Sequence, residues 1–154
     1  MSNPPRRPEE ERLEFFVGDW QDSGHTLPDP FGPGSATAGR TTYRWQVGGK
    51  WLVYTSRMFI PGIGEYEVHG GVTFNDQTGK YDAFAVNNFG NLIVYEGVWT
   101  DRTTLIFTLI HPPPVGKSRV VYHVLADGSM RMTSERVTEN GDLQVYFQTE
   151  MTRL

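Results

Sequence analysis

Histidine and tyrosine are the side chains of this sequence that could move protons near neutral pH. The chain has seven tyrosines and four histidines, which are His25, His69, His111 and His123. No two histidines have the H-x-H or H-x-x-x-H spacing of a chelate, and there is no cysteine, so we expect no metal site. The sequence has no G-x-S-x-G nucleophile elbow. If the protein is an enzyme, acid–base catalysis is therefore the expected chemistry.

Charge and hydropathy narrow the classes of partner. The formal net charge is −4, and the chain has no basic cluster beyond Arg6 and Arg7, which argues against nucleic acid as the main partner. No apolar run has the length of a membrane span, and the N-terminal residues include no apolar signal segment. We therefore expect a cytoplasmic protein without a membrane span.

The elements that must position these side chains are β-strands. From Gly39 onward, apolar and polar residues alternate at period two between turns rich in Gly, Pro, Asn and Asp. A helical segment is expected at Glu9–Phe16, entered through Pro8. Residues 1–12 are expected to form a flexible tail that precedes the domain. Strands are expected near 19–27, 39–47, 50–60, 65–75, 80–88, 92–100, 103–111, 117–126, 129–138 and 143–153.

About ten strands joined by tight turns predict a single all-β domain over residues 13–154, an up-and-down antiparallel barrel. Closure removes the unpaired edges of such a sheet. Since eight strands just fill their interior with side chains, about ten should leave a cavity for a small ligand. The number of predicted strands therefore indicates a binding cavity inside the barrel.

Alternation predicts which side chains enter this cavity. In the last strand we expect an inward set of Leu143, Val145, Phe147, Thr149 and Met151, and we expect Tyr146 to face outward. Asp22 should face inward, where we expect it to be tied to an arginine or to backbone amides. The residues that we predict to contact a ligand are Trp45, Asn87, Tyr95, His111 and Tyr122, with Arg57 as an anchor for an anionic group and Phe31, in the loop 27–38, as a lid.

Three strands are apolar or aromatic on both faces, so their orientation stays open. They are the strands at 50–60, 92–100 and 117–126. Their outer faces could pack on the N-terminal segment, on the lid or on a second subunit in a homodimer. A bulge that switches faces part-way is the alternative. In the first of them the inward residue is either Tyr54 or Arg57.

The motif Gly18-Asp19-Trp20, with Arg153 in the last strand, resembles the pattern of the calycin superfamily, which includes lipocalins, fatty-acid-binding proteins and nitrobindin-like barrels. The resemblance implies that Trp20 closes one barrel end and that Arg153 packs across it, a cation–π contact. The segments "LEFFVGDW", "VGGKWLVY", "GGVTFNDQTGKY" and "YEGVWTD" are similar to an uncharacterised family of bacterial lipocalin-like proteins, from Leu13 to Arg153. That family implies a fold and carries no common catalytic residues.

The resemblance and the residues together suggest three functions. The first is cofactor-free binding of a small apolar or aromatic molecule in the lumen. The second is a cofactor-free cyclase or isomerase acting on a polyketide-like or terpenoid substrate, with His111 and Tyr122 as catalytic groups. The third, implied by the nitrobindin-like branch, is haem binding through a histidine inside the barrel. The absence of the threonine that follows proline in that branch, where this chain has Asp29, disfavours haem.

Overall fold

The computed structural model describes residues 5–26, 34–113 and 118–154. Helix α1 (Pro8–Glu11) and a 3₁₀ helix (Arg12–Phe16) precede the strands. The strands are β1 (Gly18–Thr26), β2 (Ala36–Gln46), β3 (Trp51–Ile60), β4 (Gly64–Asn75), β5 (Lys80–Asn87), β6 (Leu92–Trp99), β7 (Thr104–His111), β8 (Ser118–Val124), β9 (Met130–Val137) and β10 (Leu143–Arg153). The predicted all-β class, strand number and short N-terminal helical segment are confirmed.

The ten strands form a closed antiparallel barrel in which each strand pairs with the next along the chain. Pairing of β1 with β10, which sets Trp20 opposite Arg153, closes the ring. On its other side β1 pairs with β2, so that Trp20 also lies opposite Thr41. The predicted up-and-down meander is confirmed. No helix among the described residues is long and apolar enough to cross a membrane.

The turns follow from local backbone chemistry. Between β4 and β5, the side chain of Asn75 accepts a hydrogen bond from the backbone N–H of Gln77 at 3.0 Å, and Gly79 takes a φ of 72° that a side chain would oppose. Between β2 and β3, Val47 itself has a φ of 51° and is 71% exposed. The alternation of β2 would place Val47 inside, but the turn begins one residue earlier and turns it to solvent.

Alternation holds along most of each strand and fails at two register shifts. One lies in the pairing of β9 with β10, between Val145 and Phe147. The extra residue brings Tyr146, which is 37% exposed, into the lining of the cavity beside Phe147, so the prediction of an outward Tyr146 is wrong. The prediction of an inward Leu143 is also wrong, since that residue is 51% exposed. The second shift lies in the pairing of β6 with β7, where Tyr95 pairs with Leu109 and Val94 pairs with His111.

The N-terminal segment covers one end of the barrel. Helix α1 starts at Pro8, and the side chain of Glu10 accepts a hydrogen bond from the Arg7 backbone N–H at 3.2 Å. Glu10 is 4% exposed and pairs with Lys50 of the β2–β3 turn at 3.3 Å. This packed helix precedes Leu13, where the sequence predicts the domain to begin.

Trp20 lies at the centre of this closed end with no solvent exposure. Its indole N–H donates to the carbonyl oxygen of Phe16 at 2.8 Å. The Arg153 guanidinium lies 4.2 Å from the indole centroid and donates to the carbonyl oxygens of Phe15 and Val17. Because the cation also satisfies carbonyls at the end of the 3₁₀ helix, it joins the first and last segments of the chain.

Candidate functional site

The barrel encloses a cavity of about 390 Å³, within the range of small-molecule sites. All ten strands contribute inward side chains to its walls. Aromatic rings dominate the lining, from Tyr43, Tyr54, Tyr66, Tyr95, Phe107, Tyr122, Tyr146 and Phe147. Aliphatic and thioether groups fill the spaces between them, from Met58, Ile60, Val68, Val72, Ala83, Ala85, Ile93, Val120, Met132 and Met151. The polar lining residues are Asp22, Thr26, Thr41, Ser56, Ser134 and Thr149.

The floor of the cavity is a cluster of aromatic rings at the closed end. Phe16, from the 3₁₀ helix, packs against Tyr43 and Tyr122 with ring centroids 5.6 and 5.5 Å apart. Phe107 makes an edge contact with Tyr122 at 5.9 Å. Gly97 of β6 permits this packing, because a Cβ atom there would lie 2.5 Å from the Phe107 ring. The same segment that closes the barrel therefore supports the floor of its cavity.

Asp22 is the one acidic residue that lines the described cavity. It is 2% exposed, and the Thr41 hydroxyl donates to its Oδ2 at 2.6 Å. The Thr41 hydroxyl in turn lies 3.0 Å from that of Ser56. The second carboxyl oxygen, Oδ1, is buried and has no hydrogen-bond partner among the described residues. The expectation that an arginine or backbone amides hold Asp22 is wrong, because its hydrogen-bond partner among the described residues is the Thr41 hydroxyl.

Burial sets the electrostatics of this cluster. Desolvation raises the pKa of Asp22 from 3.8 to about 6, against the opposing effect of the Thr41 hydrogen bond. Burial likewise raises the pKa of Tyr122 to about 12, and the charge of Asp22 adds to that effect. The pKa of Tyr43 is raised well above its ordinary value by burial and by Tyr122. Asp22 is therefore the group of this cluster that changes charge near neutral pH.

A second, more open pocket of about 480 Å³ adjoins the cavity. The two share four lining residues, Ile93, Tyr95, Val120 and Tyr146. The second pocket adds residues at strand ends, including His111 and Arg119. We treat it as the vestibule of the cavity, at the end opposite Trp20.

Of the sequence-predicted ligand contacts, Tyr95 and Tyr122 line the cavity. Asn87 does not, but its amide N–H donates to the Tyr66 hydroxyl at 3.2 Å, and Tyr66 is a lining residue. Its side-chain oxygen accepts the Phe89 and Asn91 backbone N–H groups at 3.0 and 3.2 Å. Asn87 thus orients a lining tyrosine from the β5–β6 turn.

Trp45 has the inward parity predicted for it, but it lies at the closed end outside the cavity lining. Its indole N–H donates to Glu14 at 2.7 Å, and the Arg6 guanidinium lies 4.2 Å from its ring. The N-terminal segment thus covers the position at which a ligand would have to contact Trp45. Phe31, the predicted lid residue, lies outside the described residues.

The expected placement of Arg57 in the lumen is wrong. Tyr54, Ser56 and Met58 occupy the inward positions of β3, so the Arg57 side chain faces outward and is 64% exposed. There it pairs with Glu67 at 3.4 Å. Of the two candidates for the inward position of this strand, Tyr54 is therefore the one that faces the lumen.

His111 is exposed at the end of β7, in the vestibule rather than the cavity. The register shift between β6 and β7 falls just before it, which interrupts the alternation that predicts an inward side chain. His111 and Tyr122 therefore do not form a common buried site. The strands that were apolar on both faces keep their alternation. Tyr95 and Gly97 of β6 face inward, as do Val120 and Tyr122 of β8.

The cavity does not fit a histidine-ligated haem. The lining, as far as the structure describes it, includes none of the four histidines. His25 and His69 are exposed, and His69 contacts Glu67 and Thr55 on the outer face of the sheet. His123 lies 3.4 Å from the Thr104 hydroxyl. No group of three or more potential metal ligands occurs in the described parts of the chain.

Fold and site together define a closed ten-stranded antiparallel barrel with an aromatic internal cavity. The chain belongs to the family described as "Protein of unknown function (DUF1579)", whose sequence pattern matches residues 6–153. A search of curated proteins finds no match.

The chain resembles several solved structures, among them the following two. The crystal structure of Rv2717c from M. tuberculosis aligns with a TM-score of 0.70 and 15% sequence identity, over 97% of this chain and 99% of that chain. At this identity the likeness shows the barrel fold alone. A redesigned β-barrel, b11L5F_LGL, aligns with a TM-score of 0.45 and 10% identity, over 93% of this chain and 95% of that one.

Proposed function

We propose that the protein is a lipocalin-like binding protein that holds a small apolar or aromatic molecule inside the barrel. The observation that carries this proposal is the cavity of about 390 Å³ with mainly aromatic and aliphatic walls. A structural core of this size would be filled to the density of an organic crystal. Continuous apolar space with a few buried polar groups is instead typical of a small-molecule pocket.

Two further features support a ligand site rather than an imperfectly packed core. Ala83 and Ala85, adjacent inward positions of β5, leave space where larger side chains would fill the barrel. In the same space, Asp22 places a carboxyl oxygen that has no partner among the described residues. Burying an unsatisfied oxygen destabilises the folded protein, and a purely structural core would not need it. A ligand that fills the space and meets this oxygen would relieve both.

The test is occlusion of the cavity from one strand. Ala85 faces the lumen, and its neighbour Val86 faces outward and is 42% exposed. The variants Ala85→Phe and Val86→Phe therefore add an aromatic ring at adjacent positions on opposite faces of β5. An uncharged solvatochromic dye such as Nile red, titrated into the purified protein, reports entry into an apolar site by its emission.

We expect saturable binding to the wild type and to Val86→Phe, and at least a ten-fold loss of affinity in Ala85→Phe, because about 1.4 kcal/mol of lost contact suffices for that factor. Circular dichroism and thermal unfolding check that both variants fold. The proposal would be refuted if the two variants bound the dye with equal affinity, or if Val86→Phe and not Ala85→Phe lost affinity. Either result would place the dye on the outer surface.

The alternative of a cofactor-free cyclase or isomerase is favoured by one observation, which is a buried carboxyl with a pKa of about 6 beside Tyr43 and Tyr122. A carboxyl of this kind suits general acid–base chemistry near neutral pH. Asp22 would take the role predicted for His111, which lies in the vestibule. With a candidate polyketide-like or terpenoid substrate, this alternative predicts that Asp22→Asn abolishes turnover while binding persists, and that His111→Ala retains turnover.

A further inference from the structure

The unpartnered oxygen of Asp22 indicates what kind of polar group a ligand carries. Thr41 fixes one carboxyl oxygen at 2.6 Å, so the orientation of the side chain is set before any ligand binds. The described parts of the chain offer no donor to the other oxygen, Oδ1, although the residue is only 2% exposed. A buried carboxylate oxygen is costly without a hydrogen bond or a counter-charge.

The described lining offers no counter-charge. No Lys, Arg or His is among the residues that form the cavity wall. The elements packed around Asp22 contribute Thr41 and Tyr43 from β2, Tyr54 from β3, Tyr122 from β8, and Thr149 with Met151 from β10. The titratable groups among these are tyrosines, and their phenols stay neutral at physiological pH because burial raises their pKa.

The aromatic walls add a second attraction for a positive charge. Six tyrosine and two phenylalanine rings line the cavity, and the faces of such rings attract ammonium groups, more strongly where water is excluded. An anionic ligand would meet Asp22 with a like charge, and a neutral ligand would leave the carboxylate without compensation.

We infer that the cavity selects hydrophobic amines, molecules with an apolar or aromatic body and a protonated nitrogen that donates to Oδ1 of Asp22. This inference rests on the proposed function, since it assigns a ligand class to the same cavity. The ammonium group supplies both the missing hydrogen bond and the missing charge, and the body fills the apolar remainder.

The experiment compares three compounds with one skeleton, namely 2-naphthylmethylamine, 2-naphthylmethanol and 2-naphthoate, by isothermal titration calorimetry at pH 7.5. For the wild type we expect the amine to bind at least about ten-fold tighter than the alcohol, the gain typical of a charge-assisted hydrogen bond. We expect the naphthoate to bind more weakly than the alcohol. In Asp22→Asn the amine and the alcohol should bind with similar affinity, whereas in Asp19→Asn, an exposed position of the same strand, the preference should remain.

A pH series on the wild type keeps the inference falsifiable if Asp22→Asn does not fold. From pH 8 to pH 5 Asp22 takes up a proton while an alkylamine stays charged. The affinity for the amine should fall about ten-fold over that range, and the affinity for the alcohol should stay constant. No histidine is among the described residues that line the cavity.

The outcomes separate this inference from the proposed function. The assignment of Asp22 is overturned if the amine binds the wild type no more tightly than the alcohol does, or if the amine still binds more tightly than the alcohol in Asp22→Asn. In both cases the proposed function stands, because the alcohol binds. If none of the three compounds binds the wild type and Nile red also fails, both are overturned.

Discussion

The stability of the folded barrel should depend on pH through Asp22, in the direction opposite to that of most protein carboxylates. An ordinary aspartate is ionised more readily when folded, because it gains partners. Asp22 instead loses water without gaining a cation, and burial raises its pKa from 3.8 to about 6. The protonated form is therefore favoured in the folded protein relative to the unfolded chain.

The sign of the effect follows from proton binding. Between the unfolded pKa near 3.8 and the folded pKa near 6, the folded state binds more protons at Asp22 than the unfolded state does. The contribution of Asp22 to the free energy of unfolding is therefore fully present below pH 3.8 and is lost as pH rises through 6. At about 1.36 kcal/mol per pKa unit, the complete loss amounts to about 3 kcal/mol.

The assay is urea unfolding of the wild type and Asp22→Asn at several pH values from 4 to 7.5. Asparagine does not titrate, so any fixed cost of the substitution cancels when the difference in free energy of unfolding is followed with pH. We expect Asp22→Asn to gain about 2 to 3 kcal/mol on the wild type between pH 4 and pH 7.5. All other groups titrate equally in both proteins, so their contribution cancels in the difference in free energy of unfolding.

Asp19→Asn is the matched control, since it makes the same substitution three residues earlier on β1 and on the outer face. The Thr42 hydrogen bond and Arg44 lower the pKa of Asp19, so its linkage has the opposite sign and is confined to acid pH. Its difference from the wild type should be nearly constant over the range measured. A flat difference for Asp22→Asn as well would mean that Asp22 titrates normally in the folded state, and the reasoning about its isolation would be refuted.

Three further variants test the closed end and the cavity floor, with urea unfolding as the measurement. Arg153→Lys should cost about 1 to 3 kcal/mol, because lysine cannot cover Trp20 and donate to two carbonyls at once; no loss would make the contact incidental. Phe16→Ala should cost about 3 to 5 kcal/mol as a buried ring is removed, and a loss below 1 kcal/mol would contradict its role in the floor. Gly97→Ala should cost about 1 to 3 kcal/mol and weaken dye binding, since its Cβ displaces the Phe107 ring into the cavity; unchanged dye affinity would count against that displacement.

Strand positions could be read from the sequence because period-two alternation and turn residues are local signals. The last strand was expected at 143–153, and β10 spans Leu143–Arg153. Inward positions could be read as well wherever the pairing is regular, as at Tyr95 and Tyr122. The prediction failed at Tyr146 and His111, where a register shift adds one residue to one strand of a pair. Such a shift depends on tertiary pairing, and composition does not reveal it.

The candidate site was predicted less well than the fold, and Asp22 shows why. Its inward parity is visible in the sequence, but its importance depends on which groups meet it across the barrel. A neighbouring arginine would have made it an ordinary structural ion pair. Asp19 of β1 and Arg44 of β2 instead pair with each other on the outer face. Only the three-dimensional arrangement shows that Asp22 is left with Thr41.

The closed end of the barrel and the floor of its cavity share residues. Phe16 supplies the carbonyl that accepts the Trp20 indole N–H and the ring that supports Tyr43 and Tyr122. Loss of the closure would therefore release the floor of the cavity as well as one barrel end. Because Asp22 lies two residues after Trp20 on the same strand, the position of its carboxyl also depends on that closure. A change in the N-terminal segment should thus alter ligand affinity without touching the ligand, through the placement of β1.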